Sequence, residues 1–472
     1  MSFWVLQGLS RNIKITQKNF SFRKVSFSAE ILALHLTIIF LLCLSSLLAE
    51  PLSKNQRKLV ILSMDGFPAY YLDSPEVMEK IPNLRKLFSK SLGGRAKTVN
   101  PSVTYPAHTS MITGVDPAIH GISGNHPVDP FDTKNGSWMW YSKYRKVKSI
   151  LEFAQEAGLT TGSVYWPVSV GKFADWNIPQ IWKTRTHADI ELLRDLSSPG
   201  IYDEMIFQTN EIVLENTDDR AKMRTGIQLF LSKNPDLTLI YTTDLDTNHH
   251  QYGVYSKQAI ETLMKMDSYT AEFLSLSNLY SRSDLGLIVV SDHGFISADR
   301  ICRPNQILKD MGYIRPAKKK WDFYFKSSSG MAVLIGNPQT KKGRKDFPRL
   351  QELKSRLERN CPDVNFHYSG SLLYKGKQSI EPRMQAILIP EKGTYISSKL
   401  TGELYEVSPG IHAHGYPAEW EEMDTILFFY APGIQESIEF QTILDSASIK
   451  DTALIACRWL RIPCRLGEKW KP

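Results

Sequence analysis

The chain of 472 residues is 42% hydrophobic and 22% charged, ordinary proportions for a folded protein with room for one large domain or two modest ones, and it carries no internal repeat or low-complexity tract. Its formal net charge is +8, and residues 51–472 alone hold 52 basic against 47 acidic side chains, a net of +5. That excess is mild, and there is no aromatic-interleaved basic face or Gly-rich phosphate loop, so a nucleic-acid polymer is not an expected partner; the basic clusters at 318–320 and 341–345 read as solvated loops.

The first fifty residues stand apart. Arg11, Lys14, Lys18, Arg23 and Lys24 precede an uncharged run, 31–49, interrupted only by His35. A basic region, an apolar core and a small residue at Ala49 have the layout of a secretory signal, and the run is also just long enough to span a bilayer. Residues 1–50 are therefore expected to be a signal peptide or an N-terminal membrane anchor through 31–49. Either way the remainder, 51–472, is exported to a periplasmic or extracellular setting. Oligomeric state does not follow from the sequence.

Residues 59–64 read as a short strand buried on both faces, and 81–89 as a helix with Leu84, Leu87 and Phe88 on one side. The stretch from Asn100 to Ser110 is crowded with hydroxyls. Pro101 and Pro106 bracket Thr104 in a stiff turn, and 107–112 can form a helix with Thr104 near its N-terminus, where unpaired N–H groups favour a phosphate. An ordinary N-cap is the bland alternative. A Gly-rich turn follows at 121–125, then a helix at 148–156 and a strand at 162–166. The segment 167–210 is irregular and rich in Trp and charge (Trp176, Trp182, Arg185, His187), a surface loop by default. A helix at 219–231 leads to a strand at 237–242, and 258–280 is the longest helical pattern. Its stripe of Ile260, Leu263, Met264, Met266 and Phe273 is core. A strand at 285–290 follows, then an irregular third, 299–410, containing strands at 331–335 and 386–389 and read as an insertion. A strand at 425–430 and a helix at 447–460 close the chain. Alternating strands and helices predict an α/β fold: a mostly parallel sheet with helices on both faces and an inserted smaller lobe.

Cys43 lies in the leader, leaving Cys302, Cys361, Cys457 and Cys464, an even number in an exported chain. Cys457 and Cys464 could close a small loop, leaving Cys302 for Cys361; the other two connectivities and buried free thiols stay open. None of the four has metal-site spacing. Asn135-Gly136-Ser137 is a glycosylation acceptor in a eukaryotic secretory setting.

Metal-type ligands gather after the strands. Asp65-Gly66 follows the first strand, Asp244-Leu245-Asp246-Thr247-Asn248-His249-His250-Gln251-Tyr252-Gly253 the strand at 237–242, and Asp292-His293-Gly294 the strand at 285–290. His412-Ala413-His414-Gly415-Tyr416 sits in a polar turn. Open α/β sheets place their sites at such strand ends. Together with Pro101-Ser102-Val103-Thr104-Tyr105-Pro106-Ala107-His108-Thr109 and His120-Gly121-Ile122-Ser123-Gly124-Asn125, these pieces resemble, in order, the nucleotide pyrophosphatase/phosphodiesterase family of the alkaline phosphatase superfamily. The resemblance spans 59 to about 430.

The resemblance implies an alkaline-phosphatase-like fold and two Zn²⁺ ions. One would be held by Asp246, His250 and His414, the other by Asp65, Asp292, His293 and the Thr104 oxygen. Six O/N ligands, three per ion, suit such cations. Thr104 would attack phosphorus and form a covalent phospho-threonine, with Asn125 donating to a non-bridging oxygen. Asp246-x-x-x-His250 followed by Tyr-Gly selects Asp246 and His250 over Asp244 and His249, and His414 over His412. Tyr105 and Trp166 are expected to line the substrate pocket. The expected substrate is a small phosphodiester or pyrophosphate, a nucleotide or a lipid headgroup.

Some pieces depart from the family pattern. Pro417-Ala418 replaces the usual Asp-Asn after His414-Gly415-Tyr416, Val168-Ser169 replaces Gly-Ser after Trp166-Pro167, and no base-stacking aromatic aligns downstream. These departures touch substrate choice and not the metals. Two rivals follow: the same fold acting on lipid-headgroup diesters, phosphomonoesters, phosphonates or sulfate esters, and a metal-binding ectodomain without catalysis. Thr104 stands where a sulfatase would need Cys or Ser.

Overall fold

A computed structural model of the chain describes residues 57–134, 136–181, 186–212, 219–368, 381 and 383–470. The leader with its run 31–49, Asn135, Trp182 and Arg185 lie outside the described residues. Among the described residues, no helix is long and apolar enough to cross a membrane.

Strand β1 (Lys58–Met64) is apolar at successive positions, so both of its faces need covering, and it lies at the middle of a seven-stranded sheet. The others are β2 (Leu92–Ala96), β3 (Thr161–Val164), β4 (Trp176–Ile178), β5 (Leu237–Thr242), β6 (Leu285–Val290) and β7 (Thr425–Tyr430). Their spatial order is β2-β7-β6-β1-β5-β3-β4. β1 runs parallel to β5 and β6, and β3 parallel to β5 and β4, while β7 is antiparallel to β6 and β2. The sheet is thus mostly parallel, as the β-α alternation predicts.

Two hydrophobic cores flank it. Leu59 and Ile61 pack with Leu239, Ile288 and Val290 on one face, and Val60, Leu62 and Met64 with Ile240, Leu287 and Val289 on the other. The period-2 alternation of a strand makes this division. Helix Lys257–Leu276 buries Leu263, Met266 and Phe273 in the second core, and helix Asp451–Leu460 buries Ile455, Trp459 and Leu460 in the first.

The structure departs from the sequence reading in four places. β2, a Leu-Gly-Gly-Arg-Ala segment, has almost no strand signal; pairing with β7 makes it a strand. Residues 167–210 contain β4 and the helices His187–Leu196 and Ile201–Thr209 where a loop is predicted. The first of these helices starts with a capping box between Thr186 and Asp189, a signal hidden among irregular residues. Pro106 lies inside the first turn of helix Thr104–Thr113, where its missing N–H costs nothing, so Thr104 itself opens the helix. The closing helix begins at Asp451, and a short helix that the sequence reading does not contain, Ile438–Leu444, precedes it.

Between β6 and β7 the chain builds further sheets. Phe323–Ser327, Ala332–Gly336, Met384–Pro390 and Val364–Tyr368 form a four-stranded antiparallel sheet. Ile296–Cys302 is flanked by Thr394–Ile396 and Tyr405–Ala413. Helices Pro304–Asp310 and Leu350–Asn360 share a core with Phe323, Phe325, Leu334 and Leu388. Cys302 is bonded to Cys361 and Cys457 to Cys464.

Candidate metal centre

The parallel strands β1, β5 and β6 end on one edge of the sheet, and each is followed by acidic or imidazole side chains. Asp65 follows β1, and Asp292 and His293 follow β6. After β5 the chain turns at once into helix Asp244–Tyr252. Asp246 and His250 stand four residues apart there, hence on one face. His414 comes from the end of strand Tyr405–Ala413. Gly415 next to it has φ 82° and a Cβ there would meet the Ser328 carbonyl oxygen at 1.6 Å, so only glycine lets the chain pass and hold His414 in place.

These side chains meet. His293 Nε2 lies 3.2 Å from Asp292 Oδ2 and 3.5 Å from Asp65 Oδ1. Asp246 Oδ1 lies 3.5 Å from His250 Nε2 and 3.7 Å from His414 Nε2. The His293 and His414 rings stack with centroids 3.6 Å apart. Two trios, Asp65/Asp292/His293 and Asp246/His293/His414, each place one ligand atom per residue within 4.8 Å of the others. His293 joins both trios. His250 approaches Asp246 from the rim, its side chain 41% exposed.

Each imidazole is fixed from behind. His250 Nδ1 donates to the His412 carbonyl (2.8 Å), His293 Nδ1 to the Gly294 carbonyl (3.1 Å) and His414 Nδ1 to the Ser102 carbonyl (3.0 Å). A carbonyl oxygen only accepts, so Nδ1 carries a proton in each ring, and Nε2 is the atom turned to the cluster. The carboxylates divide likewise. Asp292 Oδ1 accepts from the Gly66 and His293 N–H groups (3.0 and 3.1 Å), and Asp65 Oδ2 accepts from the Tyr241 hydroxyl. Asp65 Oδ1, Asp246 Oδ1, Asp292 Oδ2 and His293 Nε2 are buried without hydrogen-bond partners.

Burial and the Asp292 and Asp246 charges push the Asp65 carboxyl well above the usual carboxylate range. Asp246 is pushed up to about 6 by burial, with His250 opposing and Asp292 assisting. Burial holds His293 and His414 well below the ordinary imidazole value, and neighbouring imidazoles push them the same way. Among the described residues no Lys or Arg forms an ion pair with Asp65, Asp246 or Asp292. Three buried carboxylates and neutral imidazoles with converging unpaired lone pairs lack only positive charge, and divalent cations with mixed O/N coordination fit them.

The neighbouring residues take other partners. His249 Nε2 bonds to the Tyr71 hydroxyl at 2.8 Å, and His412 Nδ1 to Ser297 Oγ at 2.9 Å. The Asp244 carboxylate accepts from the Asp219 N–H at 2.8 Å.

Thr104 is 6% exposed at the first position of its helix, two residues after the carbonyl that anchors His414. One turn on, His108 Nδ1 donates to the Thr104 carbonyl and Nε2 accepts from Ser63 Oγ, both at 2.8 Å. The Asn125 side-chain oxygen accepts from the Tyr105 N–H at 2.9 Å, which leaves both amide protons of Asn125 available as donors. Tyr105 and Trp166 are not where a substrate pocket needs them. Both side chains are 0% exposed, Tyr105 packed with Ile122, Val168 and Trp138 and Trp166 edge-on to His108 at 5.0 Å. They are packing for the centre and offer a substrate no surface.

Three supports escape sequence reasoning: Tyr241, His108 and the Ser102 carbonyl. Tyr241 left no distinct trace, since Thr238 and Thr242 on the same strand also carry hydroxyls; only the β1–β5 register, which pairs Ser63 with Tyr241, brings it to Asp65.

The chain matches the model of the type I phosphodiesterase/nucleotide pyrophosphatase family over residues 59–417. It is 25% identical over 419 residues to the venom phosphodiesterase of Naja atra, covering 84% of this chain and 44% of that relative. With human ectonucleotide pyrophosphatase/phosphodiesterase family member 1 it shares 25% over 412 residues, covering 81% of this chain and 38% of the relative. The chain thus spans less than half the length of these relatives. Among solved structures, human ectonucleotide pyrophosphatase/phosphodiesterase 5 superposes with a TM-score of 0.59 at 20% identity, covering 86% of this chain and 96% of that one. The murine counterpart, in an inactive threonine-to-alanine form in complex with AMP, gives 0.56 at 18% identity, with 86% and 96% covered.

Proposed function

The chain belongs to the type I phosphodiesterase/nucleotide pyrophosphatase family, and from that premise we propose that it is a two-zinc hydrolase of small phosphodiesters and pyrophosphates, with nucleotide-type substrates favoured. The observation that carries the reading is the convergence of four ligand atoms without hydrogen-bond partners, Asp65 Oδ1, Asp246 Oδ1, Asp292 Oδ2 and His293 Nε2, among buried acids that pair with no Lys or Arg among the described residues. In this reading Asp65, Asp292, His293 and the Thr104 oxygen hold one ion and Asp246, His250 and His414 the other. Bound zinc supplies Lewis acidity, neutralising phosphoryl charge and favouring loss of a hydroxyl proton.

Thr104 Oγ attacks phosphorus, forming an Oγ–P bond as the bond to the leaving-group oxygen breaks; the threonine proton is lost and the leaving group ends protonated. Water then cleaves the phospho-threonine and restores the hydroxyl. Asn125, its oxygen held by the Tyr105 N–H, donates through its amide to a non-bridging oxygen of the substrate. The nucleotide preference is supported by the names of the relatives and by the AMP held by the murine neighbour. The ectoenzyme and venom relatives support an extracellular setting, with residues 1–50 as export signal or anchor. Residues 299–410 are then an insertion between the two halves of the ligand set.

The test compares nitrophenyl esters of thymidine monophosphate, phosphate, phosphocholine and sulfate, with and without a chelator. The expected result is preference for the thymidine diester, lost on chelation, with Thr104→Ala lowering kcat at least about 10³-fold while zinc content is retained. Retained turnover in Thr104→Ala removes the nucleophile. Preference for phosphocholine moves the substrate to lipid headgroups, and preference for the phosphate or sulfate ester overturns diester specificity.

A further inference from the structure

A lysine from the lobe between β6 and β7 reaches the turn that carries Asn125. Lys326 stands on strand Phe323–Ser327, and its Nζ donates to the Ser123 carbonyl (2.7 Å) and to Ser123 Oγ (2.8 Å). The Ser123 hydroxyl in turn donates to Glu381 Oε2 at 2.6 Å, which lies 3.9 Å from Nζ. Glu381 is 6% exposed and receives Arg383 at 3.3 Å on its other oxygen. Gly124, the next residue, is the point of closest passage: a Cβ there would stand 2.9 Å from Lys326 Cε. Burial draws the Lys326 ammonium down to about 8, against the pull of Glu381.

A buried ammonium is costly unless it is paired and hydrogen-bonded. This one spends two donors on a single residue of one turn, two positions before Asn125. The rest of the anchoring of Asn125 comes from the other side: its side-chain oxygen takes the Tyr105 N–H and its backbone carbonyl takes the Met139 N–H at 2.9 Å. The amide is therefore set between the nucleophile helix and the lobe.

We propose that Lys326, bridged through Ser123 to Glu381, is a positioning residue that fixes the 121–125 turn and so aims the Asn125 amide at the phosphoryl oxygen. This rests on the proposed role of Asn125. It makes the lobe part of the catalytic apparatus, because losing the bridge frees the turn on one side and spoils a donor that has to be preorganised to act.

A double-mutant cycle tests it. Asn125→Ala is expected to lower kcat on the thymidine diester by about 10²-fold, and Lys326→Met by about 10-fold with KM within about twofold. In the Asn125→Ala background, Lys326→Met should change kcat less than about twofold, since the group it positions is gone. Multiplicative losses overturn the proposal. Ser123→Ala, which deletes only the bridging hydroxyl, repeats the cycle should the buried lysine be needed for folding. Hydrogen–deuterium exchange of the peptide 119–126 gives a reading independent of turnover: faster exchange there in Lys326→Met, with β1 and β5 unchanged, is expected. Unchanged exchange in that peptide refutes the anchoring even if the wild-type protein proves inactive on every ester, an outcome that would sink the proposed function separately.

Discussion

Tyr241→Phe removes one hydroxyl from behind the metal centre and little else. The ring is buried against His108 and Tyr165, and phenylalanine keeps those contacts, while Asp65 Oδ2 loses the donor that holds it. Asp65 must be ionised to bind a cation, and burial with two neighbouring carboxylates already pushes its pKa well up; the Tyr241 hydrogen bond is the one interaction that opposes them. A buried hydrogen bond to a charged group is worth about 1.5–3 kcal/mol, against about 1 kcal/mol for a neutral pair. In the metal-free protein burial and the neighbouring carboxylates favour the protonated Asp65 carboxyl, and the substitution costs the smaller amount there. In the metal-bound protein it costs the larger, and the difference of about 0.5–2 kcal/mol falls on metal affinity. Zinc binding at the Asp65 site should therefore weaken by about 2- to 30-fold at pH 7.5, measured by competition with a chromophoric chelator. Lowering the pH to 6 should not narrow the deficit, because the proton on Asp65 opposes metal binding at least as strongly once its hydrogen-bond donor is gone. The chelated protein should unfold at a denaturant midpoint close to that of the wild type. An unchanged zinc affinity at both pH values would refute the reasoning, because it would mean the hydroxyl contributes nothing to the ionised form.

Two further outcomes follow from residues outside the centre. Burial, reinforced by Arg145 and Lys146, pulls the His120 pKa down to about 3, and the ring stays neutral between Ser110 Oγ at 3.0 Å and the Ile122 N–H at 3.1 Å. Below pH 6.5 the unfolded chain takes up a proton that the folded one refuses, so stability falls as pH drops; between pH 7.5 and 5 this group alone removes about 2 kcal/mol. Urea unfolding of His120→Gln should show a pH dependence shallower by about that amount, and an identical slope would be the contrary result. The disulfides should differ in weight. Cys302–Cys361 closes a separation of 59 residues and Cys457–Cys464 one of 7, for which chain entropy predicts about 4 and about 2.5 kcal/mol. Denaturation of the two paired Cys→Ser variants should rank them in that order, and the reverse ranking would count against the entropic account.

Much of the architecture is legible in the chain itself. Runs such as Leu59–Val60–Ile61–Leu62 and Leu285 to Val290 are too apolar to face water on either side, and they fall where the parallel strands fall. The long helix Lys257–Leu276 is likewise written in its apolar stripe. β2 is not legible, because Leu-Gly-Gly-Arg-Ala becomes a strand only through the hydrogen bonds that β7 offers it. The helices at His187–Leu196 and Ile201–Thr209 are short, and their periodicity is lost among charged residues.

The same division runs through the candidate site. Asp65, Asp292 and His293 can be picked from the sequence because each follows a buried strand, and local chemistry ties acids and imidazoles to strand ends. Spacing selects Asp246 and His250, since a separation of four puts two side chains on one helical face. Which atoms converge is another matter. That Tyr241 lies beside Asp65, that the Ser102 carbonyl fixes His414, and that Tyr105 and Trp166 are walled off from any substrate depend on register and packing between segments far apart in the chain. Sequence by itself determined the central buried strands and the long helix, because these follow from periodicity, and the kinds of ligand through the resemblance to the family. Tertiary structure alone decided the distances, the orphaned lone pairs and the lysine that crosses from the lobe to the Asn125 turn, because these come from contacts between residues separated by up to hundreds of positions.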